Sequence, residues 1–183
     1  MDVETLPAER YSLVARLLHW SVATLVAVQL ALGWLAQAQN DRGKSFVLLQ
    51  SHYDVGITIF ALVLLRILWR STHGATPIAV PMAWWQGVLA AFVHALLYVS
   101  LLTLPISGYV LWVWMDAPMD VFGLIEVPKL FVPVAGQYRS ETIAWNVHHY
   151  TSWAICALLA LHIAAAAWHE FVVRDGLISR RML

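Results

Sequence analysis

The run WNVHHYTSWAICALLALHIAAAAW, residues 145–168, is long and apolar enough to cross a bilayer as one helix, and it carries His148, His149 and His162. A hydrocarbon core of about 30 Å needs roughly 20 helical residues. His148 and His162 stand 14 positions apart. At about 1.5 Å per residue that is roughly 21 Å along the axis, and 14 steps of about 100° return to within about 40° of the starting direction. Both imidazoles therefore share a face, one near each membrane surface. Ionisable groups inside a bilayer are costly and point to function by default, so partners at matching depths have to come from other helices.

Three more stretches can span. The first runs from about Leu17 to Ala36 and the second from His52 to Trp69. The second reads as the weakest in hydropathy, because its clean apolar part lies between Val55 and Leu65, with Arg66 and Arg70 beyond it. The third runs from Met82 to Leu104, where Pro105 and Gly108 mark a kink or an exit, although Tyr109 to Trp114 stays apolar and can prolong the helix. Backbone polar groups in lipid must be satisfied within the segment, and four strands cannot close a barrel. The fold class is therefore all-α, an integral membrane four-helix up-down bundle forming a single membrane domain over residues 1–183.

Composition agrees with that class. The chain has 183 residues, 61% hydrophobic and 12% charged, with a mean hydropathy of +0.69; a soluble domain carries about twice that share of charge. Lys plus Arg and Asp plus Glu are both 11, so no global charge asks for nucleic acid. Cys156 is the one cysteine, which rules out an internal disulfide and a cysteine metal site. No C-x-x-C-H motif is present, so any haem is held by axial ligation alone. Tryptophans at 20, 34, 69, 84, 85, 112, 114, 145, 153 and 168 lie mostly near span ends, as an aromatic belt places them. Ala36-Gln37-Ala38 resembles a signal cleavage site, but the apolar run before it is too long, and Asp2, Glu4 and Glu9 precede it. Four spans put both termini on one side. Arg10, Arg16, Arg66, Arg70, Arg174, Arg180 and Arg181 fall there, with the linker from Arg70 to Pro81. Arg42, Lys44, Lys129 and Arg139 fall on the other side, in a short connection over 37–50 and a long one over 115–144. The bias puts the termini in the cytoplasm.

Up-down topology supplies the partners. His19 sits about one turn inside the cytoplasmic end of the first span, level with His162. His52 opens the second span on the outer side, level with His148. Two histidine pairs at two depths suit two stacked haems, iron being the metal held by His19, His52, His148 and His162. Ligation on both faces leaves no open position for oxygen and favours electron transfer. Each ring is expected to be oriented through its other nitrogen, by a helix carbonyl one turn earlier. Gly56 offers room for a porphyrin edge, and Arg16 and Arg66 are placed to pair with propionates or, equally, to anchor the cytoplasmic side. His94 lies near mid-bilayer, unassigned by depth and expected as a hydrogen-bonded core histidine. His149 points about 100° away from His148 and should find another contact. His73 falls in the cytoplasmic linker.

The residues Arg16-Leu17-Leu18-His19-Trp20, His52 with Gly56 and Arg66, His94-Ala95-Leu96-Leu97-Tyr98 leading to Pro105 and Gly108, and His148 with His162 and His169 together resemble the bacterial cytochrome b561 family over nearly the whole chain. Members are small four-helix cytochromes with two haem b groups, linked to quinone in the bacterial inner (cytoplasmic) membrane. The resemblance implies His19 with His162 on the cytoplasmic-side haem and His52 with His148 on the outer one, as the depth argument gives separately. It also implies a quinone site at His169, two turns beyond His162 on the same face, where a histidine can exchange a proton; the alternative there is a histidine snorkelling at the interface.

Some members of that family oxidise superoxide at the outer haem and pass the electron to ubiquinone. Outside charge here does not favour an anion: Arg42, Lys44, Lys129 and Arg139 face Asp41, Asp54, Asp116, Asp120, Glu126 and Glu141, although a patch around Arg42 and Lys44 can still steer one. Three readings stay open. The first is a quinone-linked oxidoreductase with superoxide as its outer reductant. The second is a haem subunit serving a periplasmic redox protein. The third is a non-redox, histidine-lined membrane module.

Overall fold

A computed structural model describes residues 10–74, 83–136 and 138–183. Four long helices follow one another: α1 (Leu13–Ala38), α2 (Arg42–His73), α3 (Trp84–Trp114) and α4 (Arg139–Trp168), the last running into a π-helical turn, His169–Val173. The start of the third span at Met82, the linker from residue 75 to Pro81, and Asp2, Glu4 and Glu9 lie outside the described residues.

All four helices are long and apolar enough to span a membrane, and the all-α bundle stands. The second spans as well as the first: its most apolar stretch has a mean hydropathy of 1.6, against 1.5 for that of α1, because Arg66 and Arg70 fall near one end of a helix 32 residues long. Large apolar side chains such as Leu64, Leu65, Phe92, Val99, Leu161 and Ile163 are exposed on its surface. In water that would be an aggregation hazard; against lipid it satisfies the solvent.

Three boundaries differ from expectation, each for a local reason. Helix α2 begins ten residues before His52, because Asp41 caps it, its carboxylate accepting the Lys44 N–H at 2.9 Å. The connection from α1 therefore shrinks to residues 39–41. Helix α3 runs through Pro105 to Trp114; the proline removes one N–H, and the Ser107 hydroxyl donates to the Thr103 and Leu104 carbonyls in that turn. Helix α4 begins six residues before Trp145.

Helix α1 packs on α2, α3 on α4, and α2 more lightly on α3; α1 and α4 make no comparable backbone approach. The bundle is thus two antiparallel helix pairs meeting along a seam. Its middle is filled by Val22, Val26, Ile59 and Val63 and by Val93, Leu97 and Ile155. One end is closed by the long connection, where Tyr53, Trp112, Val113, Ala117 and Met119 cluster. Trp112 belongs to this core and not to an aromatic belt: it stacks on Tyr53 at 4.6 Å and donates to the Pro118 carbonyl at 2.9 Å. The same connection forms a short antiparallel hairpin, β1 (Asp120–Val121) with β2 (Ile125–Glu126). Asp54, 7% exposed, pins the hairpin to α2 by accepting the Phe122 N–H at 3.2 Å and the Gln50 amide at 3.3 Å.

At the opposite end the chain beyond α4 folds back on α1. Tyr11 N–H donates to the Arg181 carbonyl, Trp20 Nε1 to the Met182 carbonyl at 3.0 Å, and Arg16 to the Leu183 carbonyl. Trp20 and Trp69, which donates to Ser12 Oγ at 3.2 Å, thus have protein partners.

Candidate functional site

Helix extension brings both hairpin-end histidines to nearly the same depth within their helices. His52 lies ten residues into α2 and His148 nine residues into α4, so neither opens its helix and the depth match survives. Their rings face each other across the seam with centres 6.1 Å apart. At the other level His19, six residues into α1, meets His162, six residues before the end of α4, with ring centres 6.3 Å apart.

The Nδ1 atoms of the hairpin-end pair are tied down. His52 Nδ1 donates to the Gln29 carbonyl of α1 at 3.0 Å, and His148 Nδ1 to the Leu104 carbonyl of α3 at 3.1 Å, with Ser107 Oγ also at 3.1 Å. These carbonyls belong to neighbouring helices, which corrects the expectation of a carbonyl one turn earlier. The reason is space: a Cβ at Gly33 would meet the His52 ring at 3.1 Å, and one at Gly108 the His148 ring at 3.2 Å. Each ring lies close against a glycine of a neighbouring helix. Gly56 serves differently from expectation too, since a Cβ there would meet the Gln29 side chain at 3.0 Å. It still lines the cleft between the rings with Val26, Leu30, Leu101 and Ile155.

The second level holds three rings. His94, exposed rather than in the core, brings its ring within 5.3 Å of His162. Arg66 stands close enough to act electrostatically on His19, His94 and His162. Its Nε donates to the Tyr98 hydroxyl at 3.0 Å, while its NH1 is buried without a partner. Arg16 is engaged with the Leu183 carbonyl, but its Nε is likewise buried and unpartnered. His169 lies outside both levels and pairs with Asp175. His149 stacks on Trp145 and His73 on Trp69, away from the seam. Sequence reasoning missed Gln29, Gly33, Ser107, Tyr98 and Asp175. Gln29 was findable as a polar residue within an apolar span; the backbone acceptors carry no sequence signal.

Negative charge at the hairpin end is smaller than the sequence count. Asp54 is buried, and Asp116 pairs with Lys129 at 2.5 Å. That hydrogen bond and charge hold the exposed Asp116 carboxyl below the usual carboxylate range.

A porphyrin brings four nitrogens of its own and asks the protein for two. With each metal–imidazole bond about 2 Å long and each ring centre about 1.2 Å further, two axial rings stand about 6.4 Å apart. The pairs at 6.1 and 6.3 Å fit that span, and the His94–His162 pair at 5.3 Å is too close. A ring fixed through Nδ1 presents Nε2 as the donor. Among the described residues no three His, Cys, Asp or Glu side chains converge to hold a bare ion. The buried NH1 of Arg66 suits a carboxylate such as a propionate.

Four apolar spans with imidazole pairs facing each other at two levels fit a membrane-embedded haem protein. The profile of the family described as prokaryotic cytochrome b561 matches residues 10–183, and the chain belongs to that family. It is 28% identical to cytochrome b561 homolog 2 of Escherichia coli (strain K12), over 95% of this chain and 92% of that one. It is 28% identical to cytochrome b561 homolog 1 of the same organism, over 94% and 97%. It is also 25% identical to a probable superoxide oxidase CybB of Yersinia pestis, over 95% and 96%. The chain is accordingly a multi-pass membrane oxidoreductase that carries electrons on b-type haem.

Proposed function

We propose that the chain holds two haem b groups, one between His52 and His148 and one between His19 and His162, and moves electrons between an outer-side reductant and ubiquinone. The reading is carried by the two ring pairs at 6.1 and 6.3 Å, spaced as axial ligands require. Haem supplies a one-electron iron couple, and two imidazoles on each iron close it to oxygen. Gln29 and Leu104 fix the ring tautomers of the first pair through their carbonyls. Arg66 offers its free NH1 to a propionate at the second level, and Arg16 its Nε. His169 is the quinone contact. The arginine bias supports cytoplasmic termini and the bacterial inner membrane.

Superoxide is the outer reductant this reading favours, on the strength of the probable superoxide oxidase among the relatives. With Asp54 buried, the exposed acidic excess on the outer face is one charge smaller than the sequence count, Asp116 and Lys129 cancelling each other. A second reading, service to a periplasmic redox protein, is favoured by the exposed apolar side chains Phe122, Leu124, Ile125, Leu130 and Val132 on the long connection. Rapid mixing of the purified holoprotein with superoxide separates them. Fast haem reduction followed by ubiquinone-dependent reoxidation supports the first reading. Absence of reduction by superoxide overturns it in favour of the second.

A further inference from the structure

The end of α4 holds an acid–imidazole pair that neither histidine level uses. His169 Nδ1 lies 2.5 Å from Asp175 Oδ2, with the aspartate side chain 7% exposed and the imidazole 18%. In an uninterrupted α-helix a residue six positions on lies about 9 Å further along and about 240° around, out of reach. Here the π turn and the left-handed Arg174 (φ 59) reverse the chain, and the His169 carbonyl accepts the N–H groups of both Arg174 and Asp175. Such π turns are rare and recur at functional sites. The other carboxylate oxygen of Asp175 is held by the Leu177 N–H at 2.9 Å, so the acid is locked in place. Neighbouring charges are occupied elsewhere: Glu170 accepts the Ile178 and Ser179 amides, Arg16 donates to the Leu183 carbonyl, and Arg10 to the Arg180 carbonyl. Among the described residues His169 Nε2 has no hydrogen-bond partner.

We propose that Asp175 is a positioning residue for His169: its buried carboxylate fixes the Nδ1–H tautomer, and so presents Nε2 to a ring oxygen of the quinone. This rests on the reading of His169 as the quinone contact. A quinone that becomes a quinol gains two electrons from the reduced cytochrome and two protons. His169 Nε2 first takes a proton from water at that end of the bundle, and the imidazolium so formed passes it to the ring oxygen as the quinone is reduced, returning to the Nδ1–H tautomer; the second proton comes from water directly. The Asp175 carboxylate stands behind the imidazolium charge, as a carboxylate behind a catalytic histidine does.

The test uses the holoprotein in lipid nanodiscs, with Asp175→Asn, Asp175→Glu and His169→Ala beside the parent. Asparagine keeps an oxygen for the Leu177 N–H but sets an NH2 donor against His169 Nδ1, removing both the charge and the acceptor that holds the Nδ1–H tautomer. Expected for Asp175→Asn are unchanged haem content, a quinone KM within about twofold of the parent, and a kcat lower by about tenfold or more. Asp175→Glu should recover part of the rate. In the parent, 15N spectra of labelled histidine should show His169 protonated at Nδ1. Parent-like kcat in Asp175→Asn, with His169→Ala inactive, overturns the role of Asp175 alone. Parent-like turnover in His169→Ala overturns the quinone reading and this inference with it. A His169 ring bare at Nδ1 in the parent overturns the positioning whether or not the variants fold.

Discussion

An imidazole can serve a metal only if one nitrogen is free and the ring cannot swing. At the hairpin end both conditions come from neighbouring backbones, the Gln29 and Leu104 carbonyls holding Nδ1 and Gly33 and Gly108 leaving room for the rings. Gly108→Ala puts a methyl group 3.2 Å from His148 Cε1, tighter than ordinary contact. The expected result is loss or altered ligation of the outer haem alone, read from haem content and the low-temperature spectrum. His148→Ala should remove the outer haem and His162→Ala the inner one; retention of both haems in both variants contradicts the assignment. His94→Ala should keep both haems while His19→Ala loses the inner, since His94 stands too near His162 for a metal to fit between them. The His148 and His162 pairing was legible because helical periodicity is local. The Nδ1 acceptors were not, because any residue offers a carbonyl and only packing decides which one arrives.

At the scale of elements, the depth argument survived although its boundaries moved. Helices α2 and α4 both begin further out than hydropathy suggests, by ten residues and six, which leaves His52 ten and His148 nine residues inside their helices and so still level. Hydropathy marks where a helix is apolar, and capping by Asp41 marks where it starts. Pro105 and Gly108 read as a kink or an exit with an apolar continuation to Trp114, and α3 takes the continuation, because a proline in a long apolar helix costs one hydrogen bond and neighbours resupply it. The hairpin was illegible: its strands are two residues each and held by Asp54. Asp54→Ala leaves the Phe122 N–H without its acceptor, while the Gln50 amide keeps the Asp120 carbonyl, and should destabilise the hairpin-end cap by about 1–3 kcal/mol, read as a lower midpoint of thermal haem release. Asp116 behaves oppositely. Its carboxyl is held low by Lys129, so whatever the pair adds is present above the ordinary carboxylate range and lost as pH falls through the lowered value. The pair is on the surface, and Asp116→Asn should leave that midpoint unchanged.

The whole molecule is two helix pairs joined along a seam that four histidines span at two heights. Apolar packing fills the space between the heights, and lipid satisfies the outer surface. The number of helices and the His52–His148 and His19–His162 facing pairs were legible in the sequence, because they follow from length, periodicity and alternation. The sequence did not reveal the third ring at the inner level or the tail that returns over α1, because both depend on how finished helices meet. The most direct measurement is haem counted per chain in the purified protein, with electron paramagnetic resonance to identify the ligands. Two b-type haems per chain, both low-spin with two imidazoles, is the expected result. A colourless protein made with ample iron and porphyrin, or a single haem unaffected by both His148→Ala and His162→Ala, would contradict the account.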